Sequence, residues 1–154
     1  MLYAIQNLRK IAQSCRLGMP LDGNLAVWLS ESLEQFLAHR ATTIEEALGL
    51  RAPRGGVPWW REEAMRQRDA LLREFARAHY LGCSVCATAR QIRLLTLRYA
   101  ASAWRVDRDQ DAMPDHYRST PKEWIWRIFK AGAPMPIGER HLRTILAAAR
   151  KCGC

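Results

Sequence analysis

A chain of 154 residues that is 49% hydrophobic and 25% charged has the material for a buried core, which excludes a disordered or low-complexity protein. It holds no run of about 20 apolar residues, and its opening, MLYAIQNLRK, lacks the regions of a signal peptide. The expectation is therefore a soluble protein of the reducing cytoplasm with free thiols and no membrane partner.

The segment from Leu2 to Cys15 spaces Leu2, Ile5, Leu8, Ile11 and Ala12 by threes and fours, which predicts an amphipathic helix ended by Leu17-Gly18-Met19-Pro20. A second helix is expected from about Asp22 to His39, with Leu25, Trp28 or Leu29, Leu33, Phe36 and Leu37 inward. Thr42 and Thr43 each precede a Glu by three residues, a capping-box pattern that opens a short helix through Leu50. Two Pro and two Gly within residues 51–58 mark the clearest loop. A fourth helix follows over about Trp59 to His79. Ser84 is then a fitting N-cap for a fifth helix running from about Val85 to Arg108. On that fifth helix Val85, Ile92, Leu95, Tyr99, Ala103 and Val106 share one face, while Leu94, Leu97, Ala101 and Trp104 form a second apolar line among arginines. Residues 109–119 read as loop, Thr120-Pro121 opens a sixth helix to Lys130, and the last helix covers about Gly138 to Lys151. No strand pattern is present.

These elements predict an all-α fold, a compact bundle of about seven helices whose C-terminal pair resembles a helix-turn-helix. A near-neutral helical unit (1–50), the Pro/Gly loop (51–58) and a basic helical core (59–154) are the expected parts, within two domains or one.

The net charge of +9 is lopsided: residues 1–50 sum to −1, and residues 51–154 carry 20 basic groups against 10 acidic. That asymmetry points to a polyanionic partner for the second part. Twenty of the 24 basic residues are Arg, which holds phosphate with a two-pronged fork where Lys offers a point charge. The last helix gathers Arg140, Arg143, Thr144, Arg150 and Lys151 on its polar face, as a recognition helix would: Arg140 and Arg143 for base edges or phosphates, Thr144 for a phosphate or thymine methyl, Arg150 and Lys151 for backbone. The fifth helix offers Arg90, Arg93, Arg98 and Arg105 as a second phosphate-binding surface. A basic solvated face is the plainer alternative for both. Leu94, Leu97 and Trp104 are instead candidates for a self-association interface, which would make the chain a homodimer.

Cys83-x-x-Cys86 and Cys152-x-Cys154 make two close thiol pairs, but the second departs from the spacing of a zinc knuckle, so no metal site is assigned. No HExxH, GxSxG, P-loop or GxGxxG occurs, and the four His have no nucleophile or carboxylate at catalytic spacing. The expectation is a protein without enzymatic activity or cofactor.

EEALGLRAPRGGVPWW (45–60) and RYAASAWRVDR (98–108) resemble short helical proteins of bacterial genomes that carry no assigned function, over most of residues 20–150. The resemblance implies a bacterial origin and attaches no catalytic or binding residue. The leading functional expectation is a basic nucleic-acid-binding accessory or regulatory protein, with DNA as the first partner. The alternative is a helical interaction module that self-associates or binds an acidic protein.

Overall fold

The structure, a computed structural model, describes residues 2–136 and 138–148. Among them are eight α-helices and no strand: α1 (Leu2–Arg16), α2 (Gly23–Leu37), α3 (Ile44–Ala47), α4 (Trp59–His79), α5 (Val85–Ala101), α6 (Trp104–Asp107), α7 (Pro121–Lys130) and α8 (Glu139–Ala148), with a 3-10 turn at Asp115–Tyr117. The fold is all-α, and no described helix is long and apolar enough to cross a membrane. The chain divides into two compact units, residues 1–60 and 61–154.

In residues 1–60 a small core of Ala4, Ile5 and Leu50 is closed by half-buried Leu8, Trp28, Leu48 and Trp59. Helix α1 stops where the amide of Met19 reaches the carbonyl of Ser14 and Gly18 takes φ 64°, the left-handed turn that glycine allows without strain. Thr43 caps α3 by accepting from the Glu46 amide at 3.2 Å, while Glu46 returns a carboxylate oxygen to the amide of Thr42 at 3.0 Å. Glu45 accepts the indole N–H of Trp59 at 2.9 Å.

Helix α2 departs from expectation. Leu25 and Ser32 are buried, whereas Leu33, Phe36 and Leu37 are exposed, Leu37 at 72%. The inward face runs through Leu25, Trp28 and Ser32, and the hydroxyl of Ser32 is satisfied inside the helix by the Trp28 carbonyl at 2.8 Å.

In residues 61–154 the core is larger. Leu72 and Phe75 of α4, Ile92 of α5, Ile128 of α7 and Leu142 of α8 are fully enclosed. Around them Phe75 stacks on Trp124 at 6.3 Å, and Tyr99 meets Phe129 edge-on at 5.2 Å.

The fifth helix does not run to Arg108. It ends at Ala101, where Ser102 leaves helical geometry (φ −123°, ψ −94°) and bonds its hydroxyl back to the Arg98 carbonyl at 2.7 Å. Helix α6 then starts in a new direction, which leaves Val106 exposed and buries Asp107.

The two C-terminal helices, α7 and α8, are joined by a Pro-punctuated turn. Helix α8 packs along α5, α7 meets α5 and the 3-10 turn, and Ile125 and Ile128 of α7 share one core with Leu142, Ile145 and Leu146 of α8. Gly132 (φ 75°) and two prolines lie in that turn, and buried Arg68 of α4 holds the Pro134 carbonyl. Residues of the expected last helix beyond Ala148 lie outside the described residues.

Candidate nucleic-acid interface

Helix α5 begins with a working cap, Ser84 accepting from the Ala87 amide at 3.2 Å. From there Cys86, Arg90, Arg93 and Leu97 follow at steps of four, three and four, which puts them on one stripe. On α8 the apolar Leu142, Ile145 and Leu146 turn inward, so Arg140, Arg143 and Thr144 are left outside. The two stripes meet: the Arg143 guanidinium lies 3.9 Å from the Cys86 sulfur. Sulfur is a weak acceptor, so this contact fixes position more than it holds charge.

Several acids of residues 61–154 are engaged elsewhere, Glu139 at the start of α8 not among them. Asp69 takes Arg68, Glu62 takes Arg66, Asp109 takes Arg108, Asp115 takes Arg118 and Glu123 takes Arg127. Asp107 is buried and accepts from two tyrosines. Arg90, Arg93, Arg98, Arg105, Arg140 and Arg143 have no acidic partner among the described residues, and all but half-buried Arg93 are exposed.

The structure places the other candidates unevenly. Arg98 sits in the last turn of α5, and Arg105 lies beyond the break at Ser102 on α6. Thr144 is exposed, but its hydroxyl proton goes to the Arg140 carbonyl at 3.1 Å, leaving it only as an acceptor or a methyl contact. Arg150, Lys151, Cys152 and Cys154 lie outside the described residues. Leu94 and Leu97 stand open at 41% and 52%, flanking the arginines. Trp104 turns inward, its ring 5.1 Å from Phe129 and 6.1 Å from Tyr99 with the Lys130 ammonium above it at 5.9 Å. It serves packing inside the chain.

Among the described residues no three His, Cys, Asp or Glu side chains come together as a metal-binding group. Cys83 and Cys86 are both exposed. Trp60 is open to solvent, while Trp124 and Trp126 pack on the core.

Two features escape sequence reasoning. The Arg143–Cys86 contact joins residues 57 apart, and nothing in either helix announces it. Burial of Asp107 between Tyr99 and Tyr117 gives no periodic signal either, because it depends on the break at Ser102. No protein-family model, curated protein or solved structure matches this chain.

Proposed function

We propose that this chain is a nucleic-acid-binding accessory or regulatory protein that holds duplex phosphates through the arginines of α5 and α8. The observation that carries the reading is the meeting of the two stripes at Arg143 and Cys86. It joins Arg90 and Arg93 to Arg140 and Arg143 as one cationic surface, and none of these four arginines is in an ion pair among the described residues. Arginines so arranged neutralise phosphates and release counterions, which is the main sequence-independent source of affinity for DNA. In this reading the protein acts by binding alone.

Titrating a labelled random duplex across salt tests the proposal. Four arginines at phosphates give a slope of log K against log salt of about −3.6. Absence of binding at low salt overturns it.

A second reading rests on Leu94 and Leu97, which stand exposed among the arginines. Two copies meeting on this apolar line would form a homodimer, with the arginines around it facing solvent or an acidic protein.

A further inference from the structure

We propose that the cleft between the end of α5 and the start of α7 binds a small carboxylate with an apolar body. It has a volume of about 270 Å³ and lies wholly within residues 61–154. Leu95, Tyr99, Ala103 and Ile125 supply its apolar walls, and Arg98 and Lys122 line it from the two helices. At about 30 Å³ per water-sized group, the space takes roughly nine non-hydrogen atoms. That is the size of benzoate, or of a medium-length fatty acid with one end in solvent.

Charge selects the anion. Neither Arg98 nor Lys122 has an acidic partner among the described residues, and Lys122 is engaged only with the face of the Tyr117 ring at 5.4 Å. The acid in the first turn of α7, Glu123, is already committed to Arg127 and the Ser119 amide, and the Thr120 hydroxyl donates to the Tyr117 carbonyl rather than capping α7. A carboxylate held between the two cations would leave its hydrocarbon against Leu95, Ala103 and Ile125. A dianion would fit less well, since the apolar floor leaves its second charge unpaired.

The walls are fixed before any ligand arrives. Tyr99 is held by its hydroxyl on Asp107 at 2.6 Å and by its ring on Phe129, and Ile125 is anchored in the core at 2% exposure. A preformed apolar cleft with few, well-placed charges loses little ordering entropy on binding.

The test uses the full chain labelled with nitrogen-15, titrated with benzoate and, as the neutral match, benzyl alcohol. Saturable amide shifts centred on Tyr99, Ala103 and Ile125 are expected with benzoate in the millimolar range or below. Binding should be about tenfold weaker for benzyl alcohol, for Arg98→Ala and for Lys122→Ala, the loss of one charge-assisted contact in each case. Ala103→Phe fills the cleft and should abolish the shifts. Should that variant fail to fold, the exposed double variant Arg98→Glu/Lys122→Glu decides in its place. No saturable shifts, shifts centred elsewhere, equal binding of the alcohol, or undiminished binding by the charge variants would each overturn the proposal.

Discussion

Tyr99 reaches across a break in the helix to donate its hydroxyl to Asp107 at 2.6 Å, and Tyr117 donates to the same carboxylate oxygen at 2.9 Å. In an unbroken helix residues 99 and 107 would stand about 12 Å apart along the axis, beyond the reach of the phenol. The turn at Ser102 is what brings them together, and the paired hydroxyls are what make a buried carboxylate tolerable. Replacing Asp107 with Ala leaves two buried hydroxyls without an acceptor. We expect a loss of about 2–4 kcal/mol in urea unfolding. Asp107→Asn keeps one acceptor oxygen and should cost less; equal stability of the Ala variant and the parent would show that the pair contributes nothing.

Both phenols also set the alkaline limit. Burial pushes Tyr99 and Tyr117 above the usual tyrosine value of 10.0, helped by their hydrogen bonds to Asp107 and its charge. A raised value means that the folded chain keeps these protons while the unfolded chain releases them above pH 10. The stability they contribute is therefore complete below pH 10 and is lost as pH rises toward the folded values. Unfolding free energy measured between pH 9 and pH 11.5 should fall, and Tyr99→Phe should make that fall shallower. An unchanged slope would separate Tyr99 from the alkaline transition.

The all-α class was legible because apolar residues recur at helical spacing, and because the Ser84 cap and Pro121 at the start of α7 are local signals. The extended reading of α5 to Arg108 failed for an equally local reason. Ala103 and Val106 keep the period of the preceding turns, so the pattern continues where the backbone does not. Exposure of Leu33, Phe36 and Leu37 could not be read at all, since periodicity identifies an apolar face and says nothing of what covers it. For the candidate site, the arginines of α5 and α8 were visible one helix at a time. Their adjacency was not, because the packing of α8 along α5 joins residues far apart in the sequence.

Arg68 looks from the sequence like one more member of a basic helix, yet it is 3% exposed. Its Nε and Nη2 both donate to Asp69, at 2.9 and 2.6 Å, and Nη1 donates to the Pro134 carbonyl. It ties α4 to the turn before α8. Arg68→Ala strands Asp69 and the carbonyl and should destabilise by about 3 kcal/mol. Arg68→Lys, with a point charge in place of the fork, should recover only part of that. Thermal unfolding followed by tryptophan fluorescence measures both. Full recovery with Lys would mean that charge alone, and not the fork, holds the turn.

Self-association through Leu94 and Leu97 makes a separate demand. Leu97→Arg puts a further charge on an exposed site and breaks no contact with the core, so folding should be unaffected. If copies pair on this line, sedimentation of the parent shows a dimer at high concentration and the variant a monomer. A monomeric parent at every concentration removes the second reading.

The cationic surface predicts a graded effect on DNA binding. Arg90→Ala and Arg143→Ala lie on different helices of the same surface, and neither side chain is in an ion pair with an acid among the described residues. Each should weaken duplex binding and reduce the steepness of the salt dependence by about one phosphate's worth, roughly 0.9 in slope. Together they should reduce it by about twice that, because contacts to separate phosphates add. Arg16→Ala, in the near-neutral residues 1–60, is the control and should change neither quantity. A slope that drops equally for Arg16 would reveal a general effect of net charge. A drop confined to Arg90 and Arg143 would place the duplex on α5 and α8.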